Sequence, residues 1–432
     1  MRAGPPRRGM ALPLALLLGW ATAASAAGSL SATERKLVAA IDARQPAAVE
    51  LLAETVDVQS ATENPAGVRA VGAIYAREFR QLGFETHWVE LPAAMNRGGH
   101  LVATHRGRRG PRLLLIGHLD TVLQGEPFRR EGSRGYGSGA SDMKGGNLVA
   151  LEALRALHSV GALRDMQVTV VLTGDEEDTG APQSVSREAL FAAAREADVA
   201  LAFEGAVMGK AAIGRRGIAS WRLHVQGRQA HSSGIFAENR GYGAIFEAAR
   251  ILDRFRTELR EPNLTYNPSV IVGGTNVTYD PATKSGTALG KTNVIPREVR
   301  VEGDLRYLGR EQFEAASRKM QAIVAEHLGQ TSAEIVIENE YPSMAPNPGS
   351  ERVLGVLDGV SRQLGAGPIV AQPPIERGAG DIAFVCDDGR LACLDGLGAD
   401  GDQEHAPGEY IDLDVLPLQT KRAALLMYRL TH

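Results

Sequence analysis

The stretch "GSGASDMKGG", residues 137–146, decides between two folds. With Gly135 and Tyr136 before it, residues 135–140 read G-Y-G-S-G-A, which fits the dinucleotide fingerprint G-x-G-x-x-G/A. Such a loop cradles a phosphate when a buried strand runs into it and an acid about 20 residues on reaches the ribose. The residues before Gly135 are "FRREGSR", which is no buried strand. The acids that follow, Glu152 in a helical pattern and Asp165 in a turn, end no strand. A dinucleotide-binding oxidoreductase is therefore disfavoured. The loop instead presents Asp142, and the question becomes what Asp142 faces.

The neighbouring segments answer it. "RLLLIGHLD" (112–120) is a continuous apolar run with His118 and Asp120 at its end. "MQVTVVLTGDEED" (166–178) is a second, ending in Asp175, Glu176, Glu177 and Asp178, and "DVALAFEGA" (198–206) a third, ending in Glu204. Helical patterns lie between them, so the expected fold is α/β with a mostly parallel sheet and flanking helices. Ligands bind beyond the carboxyl ends of such strands, so these groups should converge. A lone histidine there is ordinarily a surface group, and acidic pairs on loops are ordinarily solvated. Their joint appearance at three successive strand ends favours a cation, because clustered carboxylates are costly without one. Imidazole mixed with carboxylate suits zinc, with cobalt or manganese as alternatives. Asp120, two residues after His118 on a strand, points to the same side and can orient the imidazole.

From Gly214 the pattern changes to strand, helix, two strands, helix, strand. That is the ferredoxin-like β-α-β-β-α-β order, expected as a separate unit at 215–345 inserted between 27–214 and 346–432. The N-terminus reads as a signal peptide over residues 1–26: Arg2, Arg7 and Arg8, an apolar run from Met10 to Ala21, then Ala24-Ser25-Ala26. Its removal takes the formal charge from −4 to −7, which argues against nucleic acid as a partner. No later segment reads as a membrane span, and the expected location is periplasmic or secreted. The two cysteines, Cys386 and Cys393, either pair, as export would allow, or remain two free thiols.

The ordered set "GHLDTV", "ASDMKGG", "TGDEEDTG", "FEGA", "GRQAHSSG", "ERGAGD" and "GDQEHAPGEYI" resembles the co-catalytic zinc metallopeptidase family. That family includes bacterial glutamate carboxypeptidase, succinyl-diaminopimelate desuccinylase and aminoacylase. The resemblance implies a zinc-peptidase-like fold whose inserted segment is a lid that commonly dimerises. It implies two zinc ions per chain: one held by His118 and Glu204, the other by Glu177 and His405, with Asp142 bridging both. Glu176 resembles the general base that takes a proton from water, and His231 a group that holds the carbonyl oxygen, often from a partner subunit. Asn293, Arg306, Lys210 and Gly380 resemble substrate-binding positions, with Arg306 suited to a free carboxylate. In the family the bond after the bridging Asp is often cis, here Asp142–Met143. The implied activity is cleavage of an amide bond next to a free C-terminal carboxylate, in a small peptide or N-acyl amino acid. An aminoacylase or dipeptidase is the near alternative, and a non-catalytic peptide-binding relative a remote one.

Overall fold

The computed structural model describes residues 29–432, so the signal-peptide reading falls outside the described residues. The chain opens with α1 (Ala32–Val56), started by a capping box in which Ser31 and Glu34 satisfy each other's main-chain N–H. In α2 (Pro65–Gln81), Pro65 begins the first turn under an Asn64 cap. Then come β1 (Glu85–Val89), β2 (His100–Arg106), β3 (Arg109–His118), α3 (Gly146–Ser159), β4 (Met166–Thr173), α4 (Glu188–Arg195) and β5 (Val199–Ala202).

The inserted segment follows as β6 (Gly217–Gly227), α5 (Gly243–Glu258), β7 (Thr265–Gly274), β8 (Glu298–Tyr307), α6 (Arg310–Ala325) and β9 (Thr331–Tyr341). The chain closes with α7 (Pro348–Gln363), β10 (Ala392–Leu394) and α8 (Leu416–Thr431).

The central sheet runs β1-β2-β4-β3-β5-β10. The pairs β3/β4, β3/β5 and β5/β10 are parallel, and β1 and β2 add an antiparallel edge. Along β3 the side chains alternate. Leu113 and Leu115 join the core under α1, α3 and α8, whereas Leu114 and Ile116 join the opposite core with Leu190 and Ile382. Burial on both faces explains why this strand reads as an unbroken apolar run.

In the inserted segment the sheet order is β7-β8-β6-β9, antiparallel throughout. This is the ferredoxin-like order. One face packs on α5 and α6 around Trp221, Phe255, Leu305 and Met320, a core separate from those of the central sheet. The long connection before Asn293 is a hairpin, with 276–280 paired to 285–289. Cys386 and Cys393 are joined in a disulfide with Cα atoms 6.4 Å apart, which resolves that alternative in favour of pairing.

Candidate active site

The carboxyl ends of β3, β4 and β5 deliver their polar residues to one place. Asp142 stands between two histidines: Oδ1 is 3.1 Å from His118 Nε2, and Oδ2 is 3.1 Å from His405 Nε2. Glu204 Oε1 lies 3.9 Å from His118 Nε2, and Glu177 Oε2 lies 3.3 Å from His405 Nε2. Two three-donor groups result, His118–Asp142–Glu204 and Asp142–Glu177–His405, sharing Asp142.

These donors fit a pair of metal ions. Two donors bound tetrahedrally at about 2.0–2.1 Å would sit about 3.3 Å apart, close to the separations found. Glu177 Oε1 is buried and has no hydrogen-bond partner among the described residues. Burial, aided by Glu204, pushes the Glu176 carboxyl well above the usual range. Burial, aided by Asp142, pushes Glu204 up to about 8. Asp142 and Glu177 raise His405 to about 10. Burial opposes charge on His118, but Asp120 and Asp142 outweigh it and hold its pKa well above the ordinary value. Protons are thus drawn to the place where cations would compensate the same charge.

Several supports set this geometry. The carbonyl of Asp120, at 3.0 Å, is nearer to His118 Nδ1 than its carboxylate, at 3.5 Å. The carboxylate instead accepts from Thr62 Oγ1 (2.7 Å) and from the main-chain N–H groups of Glu176 (3.1 Å) and Glu177 (3.2 Å). Asp120 therefore orients the imidazole mainly through its main chain and anchors the acidic loop with its side chain. Gly139 takes a left-handed φ of 77°, and the peptide bond Asp142–Met143 is cis. Gly146 opens α3 so close to β5 that a Cβ there would lie 1.9 Å from the Phe203 carbonyl oxygen.

A cleft of about 750 Å³ lies elsewhere. It opens near the amino-terminal ends of β3 and β4 and is lined by residues such as Val102, Arg112, Val168 and Ala193. None of the candidate ligands lines it, so the converging donors outweigh its size as a guide to chemistry.

Residues 114–429 match the sequence profile of Peptidase family M20/M25/M40. The chain belongs to this family. It is similar to carboxypeptidase G2 of a Pseudomonas species, 28% identical over 393 residues, covering 89% of each chain. It is similar to a succinyl-diaminopimelate desuccinylase of Leptothrix cholodnii, 30% identical over 297 residues, covering 65% of this chain and 73% of that one. In fold it resembles aminopeptidase PepT from Bacillus cereus, with a TM-score of 0.69 and 19% identity, covering 89% of this chain and 98% of that one. Membership in the M20 family makes the chain a hydrolase with a carboxypeptidase-like and desuccinylase-like kinship.

The other expected site residues of this M20 hydrolase lie apart from the donor cluster in hydrogen bonding. His231 is exposed, and its Nδ1 accepts from the Ser233 N–H at 3.2 Å. Asn293 is its neighbour, its carbonyl accepting from Ser232 N–H at 2.9 Å. Arg306 pairs with Asp304 at 3.1 Å on β8. Lys210 pairs with Glu376 at 2.6 Å, so its ammonium is already matched. A Cβ on Gly380 would lie 2.9 Å from the Arg215 guanidinium carbon, so this glycine makes room for that side chain.

Sequence reasoning missed Glu409. Its buried carboxylate accepts from the N–H groups of Gly139 (2.7 Å), Ser141 (2.8 Å) and Asp142 (2.9 Å). It lies four residues beyond His405 and so ties the two loops that flank the metal position. The only signal was a second acid in "EHAPGEY". Glu409→Ala would leave three donors without their acceptor. The expected loss is about 3 kcal/mol of stability, read by urea unfolding, together with weaker metal retention.

Proposed function

We propose that this chain is an exported di-zinc hydrolase that cleaves an amide bond next to a free C-terminal carboxylate. The observation that carries the reading is Asp142, with one carboxylate oxygen toward His118 and the other toward His405. His118, Glu204, Asp142, Glu177 and His405 would hold two ions, zinc before cobalt or manganese on the donor chemistry. When bound, such ions supply Lewis acidity that makes water a nucleophile and polarises a carbonyl.

The chain's own residues do the rest. Glu176 takes the proton of the attacking water and passes it to the leaving nitrogen. Its burial raises its proton affinity, as that role requires. Asp120 holds the main chain of Glu176 in place. His231 donates to the carbonyl oxygen as negative charge develops there. Arg306 pairs with the substrate carboxylate, and Asn293, beside His231, contributes a separate polar contact to the substrate. Segment 215–345 acts as the lid and as the surface for a homodimer. Exposed Phe236, Ile245 and Phe246 near His231 support such an interface. In the dimer, His231 of one copy serves the site of the other.

The kinship to carboxypeptidase G2 across 89% of both chains favours a C-terminal residue as leaving group. The desuccinylase relatives favour an N-acyl amino acid as the second reading. Export is supported by the signal-like residues 1–26 and by the Cys386–Cys393 disulfide. No helix among the described residues is long and apolar enough to cross a membrane.

A hydrolysis screen of N-acyl amino acids and dipeptides varied at the C-terminal residue tests the reading. Turnover is expected only with a free carboxylate, to vanish with chelator and to return with zinc. Turnover by metal-free protein, or equal turnover of the C-terminal methyl amides, would sink it.

A further inference from the structure

The chain enters the lid at Arg215–Gly217 and leaves it at Tyr341–Met344. The two crossings are tied by reciprocal main-chain bonds of 2.9 Å between Arg215 and Met344. Both also grip the loop 377–381. Arg215 donates to the carbonyls of Gly378 (2.9 Å) and Ala379 (2.7 Å), and the Tyr341 hydroxyl donates to Asp381 Oδ1 at 3.0 Å.

Asp381 leads on to the catalytic loop. It accepts from Thr173 Oγ1 at 2.6 Å and from Arg187 Nε at 2.7 Å. Arg187, fully buried, also donates to Asp175 Oδ1 at 2.5 Å and to the Asp175 carbonyl at 3.1 Å. Asp175 immediately precedes Glu176, whose own N–H is held by Asp120. One hydroxyl on the lid's return strand thus connects, through two buried ions, to the main chain beside the proposed base. In a buried setting such a network has few alternative arrangements, since each broken bond strands a polar group. The Tyr341 ring packs on Phe384 with centroids 4.5 Å apart, so packing and hydrogen bonding can be separated experimentally.

We propose that Tyr341 is a positioning residue: its hydroxyl pins the lid to the Asp381–Arg187–Asp175 network, fixing the lid relative to the Glu176 loop. This rests on the reading of Glu176 as base and of segment 215–345 as lid. A misplacement of about 1 Å between reacting groups is enough to cost orders of magnitude in rate.

Tyr341→Phe keeps the ring and removes only the bond. The test uses the full zinc-loaded protein with N-benzoyl-L-glutamate as probe. Spin labels at Ala315→Cys on the lid and Arg352→Cys on α7 report the lid position. The expected result is full metal content, kcat lower by about tenfold with KM within about twofold, and a broadened label-to-label distance distribution. An unchanged kcat with an unchanged distribution overturns the proposal. So does a kcat loss that comes with metal loss and no broadening, which would mean a structural role alone. If the wild type leaves this probe uncut, only glutamate at the C-terminal position is ruled out, the kinetics are read with the substrate that the hydrolysis screen selects, and the label distances still decide: a distribution that Tyr341→Phe does not broaden overturns the role of Tyr341.

Discussion

Glu176→Ala is expected to keep two metal equivalents per chain while kcat falls by about 10²–10⁴-fold, the usual share of a general acid–base group. Neither three-donor group contains Glu176, so its removal takes no ligand from either. Its main chain stays anchored, because Asp120 holds it through N–H rather than through the side chain. What disappears is the carboxylate that relays the proton. Metal analysis alongside steady-state kinetics reads both halves. Loss of metal in this variant, with metal retained in Glu177→Ala, would reverse the roles of the two neighbours.

Asp142→Ala should have the larger effect on metal. Each oxygen of Asp142 faces a different histidine, so one substitution takes a ligand from both ions and leaves each with two. Catalytic sites ordinarily use three. Metal content should fall from two equivalents to less than one after dialysis, with turnover lost to detection. His405→Ala removes a ligand from one group only and should leave about one equivalent, held by His118, Asp142 and Glu204. The contrast between the two variants separates a bridging residue from a terminal ligand.

The sequence was most legible where side chains speak directly. His118, Glu177 and Glu204 sit at the ends of runs buried on both faces, and a parallel sheet brings such ends together. The alternation in 215–345 carried the ferredoxin-like order, because each strand there has one covered and one open face. Less legible were groups whose partners are main-chain atoms. Glu409 and the Asp120 carboxylate act on N–H groups, which leave no pattern in the residues that own them. Arg187 and Asp381 are 194 residues apart, and only the folded chain makes them a pair. Lys210 reads in sequence as a substrate-facing position, and its pairing with Glu376 is hidden there because that partner comes from a distant loop. The cysteine pair likewise depended on a Cα separation that spacing alone does not set. The glycine fingerprint at 135–140 could be set aside in the sequence itself, because no buried strand precedes it. Its glycines serve a left-handed turn and a loop that carries Asp142, a role distinct from binding phosphate but written with the same letters.

The most direct test of the central claim is anomalous diffraction at the zinc edge from crystals of the metal-loaded protein. Two peaks about 3.5–4 Å apart are expected, with Asp142 reaching one through each oxygen. A single peak, or two peaks of which only one is touched by Asp142, would contradict it.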